Sequence, residues 1–333
     1  MNLLVVTNNP TNASFRQRIE AHLVTLHENG IDCEVAKLPP GFLQRRKLFK
    51  RTDAFDGIFL HRKILNLRDA FWLRRYSRKI IYDFDDAVMY SAKKPVSRCM
   101  SRQRRFRRSV ELADLVIAGN PYLAEHARKF NSRVKVLPTG LNTKAYTAET
   151  KPENDGKIRL VWIGSKSTLR YLTQIKPALE EIGTCFNNTI LKIICNNFID
   201  LQNMSVEKHQ WHKNSEALDL ITCDIGLAPL ADDRFTRGKC GYKILQYQAA
   251  GLAVVASPVG VNAEYVQDGI TGFHAVDIPQ WIDKISELIK NAELRKKMGQ
   301  EGNVHVQRFD SNILAKQLVN MIKECLKNTG HRM

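Results

Sequence analysis

The chain has 333 residues, 44% of them hydrophobic, which is material for two domains that each bury a core. Its longest apolar runs, such as Leu252 to Ala256, fall far short of the ~20 residues of a membrane span, and MNLLVVTNNP lacks a basic segment and a cleavage signal, so a cytoplasmic location is expected. Seven scattered cysteines with no C-x-x-C pair indicate neither a disulfide framework nor a zinc site. The formal net charge of +17 is lopsided: residues 1–150 hold 28 Lys and Arg against 14 Asp and Glu, and the remainder 23 against 20, so the N-terminal half expects an anionic partner.

Along the chain, LLVVT reads as a buried strand, followed by Phe15, Ile19, Leu23 and Leu26 at helical spacing, a stop at Gly30 and the strand CEVAKL. Further strands are expected at GIFLH, KIIYDF, DLVIAG and VKVLP, and Asn120 with Pro121 starts a helix through Phe130. Residues 144–157, KAYTAETKPENDGK, form the linker candidate, so residues 1–145 and 155–311 are expected to be separate domains. The second restarts with IRLVWIG, a helix over 168–182, ILKIIC, DIGLAPL, a helix over 242–250 closed by Gly251, and LAVVAS. The fold class is therefore α/β, with two Rossmann-like domains whose ligand is expected in the cleft between them, at the carboxyl ends of the strands. Leu314, Leu318, Met321 or Ile322, and Cys325 make an apolar stripe on a last helix, about 312–328, that needs a surface to cover.

If the helix following ADDRFTRGKCG begins near Lys239, then Lys239, Lys243 and Gln246 share one face. Cations are unfavourable in a first helical turn, by about 0.3–1 kcal/mol each, unless an anion sits between them. The alternative is a solvated basic loop.

The stretch GKCGYKILQYQAAGLAVVASPVGVNAEYVQDGITGF resembles the donor-binding segment of retaining GT-B glycosyltransferases of glycosyltransferase family 4. YDFDDAV, ADLVIAGNPYLAEHARKF, VKVLPTGLNTKAY, VWIGSKSTLRYL and LRKKMGQEGNVHVQRF occur in the family's order, so the resemblance covers most of the chain. It implies a GT-B fold with the last helix crossing back to the N-terminal domain. It also implies transfer of a sugar from a nucleotide diphosphate to a glycan or lipid-linked acceptor, as in cell-surface polysaccharide or lipopolysaccharide synthesis, with no metal and no cofactor. The alternatives within the fold are a nucleotide-sugar epimerase, a phosphorylase, or a non-catalytic module that binds nucleotide or an anionic polymer.

By the same resemblance Lys239 and Lys243, with Arg237 as a third cation, fall on the donor diphosphate, and Gln246 falls on the second acidic position of the family's E-x7-E element, at the ribose. The first acidic position is Gly238, with Asp232 or Asp233 as substitutes. Gly164 and Ser165 fall where a turn approaches the phosphates; Ser167 or Thr168 either caps the next helix or touches the donor; Glu264 lies near the donor or stabilises a helix start. Asp83, Asp85 and Asp86 end a strand, and Asp83-Phe84-Asp85 spells a metal motif of a different glycosyltransferase fold, a reading that the GT-B resemblance displaces. Asp85 replaces a histidine on the acceptor side and, with Asp86, is a catalytic candidate; it could accept a bond from the acceptor hydroxyl, act as its base, or pair with an arginine. His61 and Arg16 are further candidates on that side, the arginine for a phosphate.

FLQRRKLFKR, RKILNLRDAFWLRRYSRK and SRCMSRQRRFRRS interleave apolar and basic residues in the N-terminal half. They suit the anionic inner face of a membrane, or are solvated helix faces; with no recognisable nucleic-acid motif, no nucleic acid is expected as a partner.

Overall fold

The computed structural model describes residues 1–93, 99–146 and 155–327, and they form two compact units. Most of the expected linker, residues 147–154, lies outside the described residues. The first unit comprises residues 1–140, 233–240 and 311–333, and the second residues 141–232 and 241–310.

The first unit runs β1 (Asn2–Thr7), α1 (Ala13–Arg18), α2 (Leu23–Glu28), β2 (Asp32–Lys37), α3 (Phe42–Lys50), β3 (Gly57–His61), α4 (Leu67–Tyr76), β4 (Ile80–Phe84), α5 (Met100–Glu111), β5 (Leu115–Ala118), α6 (Pro121–Arg128) and β6 (Val134–Val136). Its described strands form one parallel sheet in the order β2-β1-β3-β4-β5-β6. Alternate residues serve opposite faces, as the two-residue period of a strand requires. Leu4, Val6, Leu60, Tyr82 and Phe84 pack with Phe49 of α3, Leu73 of α4, Phe106 of α5 and Leu123 of α6. Leu3, Val5, Phe59 and Ile117 pack with Phe15, Leu26 and the stripe Leu314, Leu318, Ile322 and Leu326 of the last helix (Ser311–Lys327). That helix therefore returns to the first sheet, as the apolar stripe required.

The second unit runs β7 (Ile158–Ile163), α7 (Leu169–Gln174), α8 (Lys176–Cys185), β8 (Thr189–Ile194), β9 (Ser205–His209), α9 (Glu216–Ile221), β10 (Ile225–Ala228), α10 (Tyr242–Ala249), β11 (Ala253–Ala256), α11 (Asn262–Tyr265), β12 (Gly272–His274), α12 (Ile278–Lys290) and α13 (Ala292–Val306); the last helix of the chain is α14. Its described strands are parallel, in the order β12-β11-β10-β7-β8-β9. The single helix expected over 168–182 is instead two, α7 and α8, because Pro177 has no N–H to continue the ladder to the Thr173 carbonyl. β9, with the polar sequence SVEKH, is an edge strand that apolar periodicity alone does not reveal.

In each sheet the strand order reverses at one place, between β1 and β3 in the first unit and between β7 and β10 in the second. Ligands of open α/β sheets bind outside the carboxyl ends of the strands at such a place.

Candidate functional site

At the reversal of the first unit, Thr7 and His61 end β1 and β3 as direct neighbours in register, and Asp83 is the neighbour of His61 on β4. Asn12 caps α1 by accepting from the Phe15 N–H at 2.7 Å, which sets Ser14 in the first turn beneath His61. The His61 ring lies 3.0 Å from the Thr7 hydroxyl through Nδ1 and 2.9 Å from the Ser14 hydroxyl through Nε2. Ser14 also bonds Asp85. Burial opposes the charged form of Asp85, yet the guanidinium groups of Arg62 and Arg18 and the Ser14 bond outweigh it and hold the carboxyl below the usual carboxylate range. An ionised Asp85 accepts the Ser14 proton, so Ser14 must accept from His61 Nε2–H and Thr7 must donate to Nδ1. His61 is thus a neutral imidazole whose pKa burial pushes below its ordinary value.

Each acid at this edge has its own cation. Asp83 is buried in a bidentate pair with Arg18, which also donates to the Leu137 carbonyl at 2.6 Å. Asp85 lies 3.3 Å from Arg62 Nε. Asp86 accepts from Arg62 Nη2 at 2.6 Å and lies 3.1 Å from the ammonium of Lys239. Burial would lower the pKa of Lys239, but Asp86 reverses this and raises it. Arg62 is the one non-glycine residue with positive φ among the described residues, at 57°, a conformation that costs about 1–3 kcal/mol and that two carboxylates hold in place. Among the described residues no group of three or more His, Cys, Asp or Glu side chains is placed to hold a metal ion.

Lys239 does not share a helical face with Lys243, contrary to the expectation from spacing. Its backbone is extended, the left-handed Gly241 follows at φ 62°, and α10 starts only at Tyr242. Lys239 belongs to the first unit and Lys243 to the second. The segment 233–240 is held in the first unit by Gly238, where an added Cβ would lie 2.7 Å from the Ala87 Cβ and 2.9 Å from Leu123, and by the Tyr122 hydroxyl donating to the Arg234 carbonyl at 3.0 Å. No side chain fits at Gly238. Asp233, offered as a substitute acid, instead caps the turn by accepting from the N–H groups of Phe235 and Thr236 at 2.8 and 2.9 Å.

At the reversal of the second unit, β7 ends in the turn Gly164 to Thr168. A Cβ on Gly164 would meet the Trp162 ring at 2.6 Å, and the Lys243 ammonium stands 4.5 Å from the centre of that same ring. Two of the expected donor residues therefore border one indole. Ser165 is exposed, its hydroxyl 2.9 Å from that of Ser167. The Thr168 hydroxyl accepts from the Ser165 N–H at 3.0 Å and donates to the Ser165 carbonyl, so it closes the turn and does not cap α7.

Gln246 is buried and donates to Glu216 Oε1 at 2.5 Å and to the Tyr146 hydroxyl at 3.2 Å. Tyr146 donates to the same carboxylate oxygen at 3.0 Å, and the Trp211 indole donates to Oε2 at 2.6 Å. Sequence reasoning missed Glu216 because nothing near it in the chain marks it; only the fold brings α9 against α10. Glu264 is exposed in the first turn of α11, Arg237 is exposed, and Arg16 donates to the Thr11 carbonyl at 2.6 Å.

Residues 201–291 match the family Glycosyl transferases group 1. No curated protein sequence matches the chain. Among solved structures, Anabaena HepE in complex with UDP is similar at 16% identity and a TM-score of 0.72, over 97% of this chain and 100% of that one. Sucrose-phosphate synthase from Thermosynechococcus elongatus is similar at 13% identity and 0.74, over 98% and 99%. WaaG, a glycosyltransferase involved in lipopolysaccharide biosynthesis, is similar at 14% identity and 0.69, over 96% and 99%. The fold is GT-B, and with the matched family it supports a GT-B glycosyltransferase.

Proposed function

We propose that the protein is a retaining, metal-independent glycosyltransferase that moves a sugar from a nucleotide diphosphate to a hydroxyl of a glycan or lipid-linked acceptor. The observation that carries this reading is the turn at the reversal of the second sheet. It combines a glycine with no room for a side chain, exposed hydroxyls, and a lysine on the adjoining indole, within a chain whose residues 201–291 match Glycosyl transferases group 1. A turn of that kind meets phosphate through backbone N–H groups, and the lysine supplies charge.

In the transfer, the bond from the anomeric carbon to the diphosphate oxygen breaks and a bond to the acceptor oxygen forms, while the acceptor proton goes to the leaving diphosphate. Lys243 offsets the charge that develops on the leaving group. Asp85, kept ionised by Arg62 and Arg18, serves as a hydrogen-bond acceptor for the acceptor hydroxyl. Asp86 holds Lys239 and Arg62 charged beside it. A second reading, nucleotide binding without transfer, is favoured by Gly238, which leaves no acid at the first position of the E-x7-E element.

HepE binds UDP and UDP-glucose, so these are the first probes. The purified chain is incubated with a panel of nucleotide sugars and with glycan and lipid-linked acceptors, and release of nucleoside diphosphate is followed. Acceptor-dependent release, with the anomeric configuration kept in the product, supports the proposal. Tight nucleotide binding without release under every pairing leaves the second reading.

A further inference from the structure

The basic excess of the N-terminal half is not spread evenly over the first unit. On α3 the exposed residues are Leu43, Gln44, Arg46, Lys47 and Lys50, and on α4 they are Leu67, Arg68, Phe71 and Arg75. The acid of these two helices, Asp69, is buried and paired with Arg45 at 2.9 Å. The face that α3 and α4 share is therefore cationic without an exposed carboxylate of its own.

The apolar side chains on it are large and outward: Leu43 is 67% exposed, Leu67 71% and Phe71 59%. Stacked cations join the two helices beside them. The Arg46 guanidinium lies 4.1 Å from the centre of the Trp72 ring, Arg68 lies 5.6 Å from that of Phe42, and Phe71 meets Trp72 edge-on at 5.0 Å. Such stacking holds the guanidinium groups beside the rings.

We infer that the α3–α4 face docks the protein on an anionic lipid bilayer, with Leu43, Leu67 and Phe71 entering the boundary between headgroups and chains and the five exposed cations meeting acidic headgroups. A soluble polyanion would account for the cations but not for three exposed apolar side chains among them, whereas a bilayer offers both a charged layer and an apolar one. Helix α5, the most basic segment by sequence, is the poorer candidate. Arg102 and Arg108 are committed to the carbonyls of Val88 and Leu65, and Arg107 to Glu111. The inference goes beyond the transfer reaction and does not depend on it.

The test is co-sedimentation of the full chain with vesicles of phosphatidylcholine alone and of phosphatidylcholine with about a third phosphatidylglycerol. Binding to the acidic vesicles only, falling steeply with salt, is expected. Phe71→Ser with Leu67→Ser should weaken it by about tenfold per side chain, and Arg68→Gln with Arg75→Gln by about fivefold per charge. Leu43→Ser with Lys47→Gln on the neighbouring helix gives an independent reading, and UDP affinity measured on every variant reports separately on the second unit. Equal binding to both vesicles, binding to neither, or acidic-vesicle binding that resists all three pairs would overturn the inference. So would binding that the apolar substitutions leave intact and heparin abolishes, which would assign the face to a soluble polyanion.

Discussion

The two units solve the same architectural problem and leave opposite kinds of surface where their strand order reverses. In the first, the reversal is filled: Thr7, His61, Ser14 and Asp85 form one chain of hydrogen bonds, and Asp83 and Asp86 are closed by Arg18, Arg62 and Lys239. In the second, the reversal is an exposed turn with a lysine poised over an indole. Arg18 and Asp83 are buried against each other, so removing one leaves the other buried without its counter-charge. The second unit's lysine stands on the Trp162 ring beside that turn.

That contrast can be broken in four ways. The largest effect is expected from Arg18→Met, which leaves Asp83 buried without its cation; denaturant unfolding should show a loss of about 3–5 kcal/mol while UDP affinity is kept. A loss of UDP affinity in a variant that stays folded would mean that the two regions are not separable in this way.

Next comes a pH effect. Burial, helped by the charge of Arg18, lowers the pKa of His22 to about 4, against an ordinary 6.5. The unfolded chain then binds a proton between these values that the folded chain refuses, so the contribution of His22 is complete above pH 6.5 and is lost as pH falls toward 4. The loss should be on the order of 3 kcal/mol, read as a drop in unfolding free energy that His22→Gln flattens. A profile identical in the variant would show that His22 is not the titrating group.

Lys243→Ala should weaken UDP binding by about 1.5–3 kcal/mol, the range for a bond to a charged group, with thermal stability almost unchanged. Unchanged affinity in a calorimetric titration would remove the lysine from the donor site. Smallest is Gly238→Ala, whose new methyl crowds Ala87 and Leu123; a stability loss of about 1–3 kcal/mol is expected on thermal unfolding. If Gly238→Glu were instead tolerated and raised turnover, the packing account of that position would be wrong.

Most of the strands, and the helices marked by a cap, a glycine stop or an apolar stripe, were legible because their signals are local. LLVVT alternates between two apolar cores as β1, Asn120 caps α6 by accepting from the Leu123 N–H at 2.8 Å, and Gly30 and Gly251 take the positive φ that ends a helix. The polar edge strand β9 and the break before α8 were not read, the first because an edge strand need bury little on either face, the second because the proline was outweighed by a continuous apolar pattern. The candidate residues at the second reversal were visible as a turn after a strand, but the path of the segment 233–240 was not, and with it went the expectation that Lys239 and Lys243 act from one helical face.

By itself the sequence determined the two alternating α/β cycles, the apolar stripe that returns α14 to the first sheet, and the helix stops at Gly30 and Gly251. Those follow from periods of two and 3.6 residues and from φ, all set within a few neighbours. Only the tertiary structure decided which donor answers which acid: the ammonium of Lys239 with Asp86, the guanidinium of Arg18 with Asp83, the neutral amide of Gln246 with Glu216. These partners lie far apart in the chain. Their pairing follows from the low polarity of the sites where the sheets bring them together, where a charge or polar group without a partner is too costly to keep.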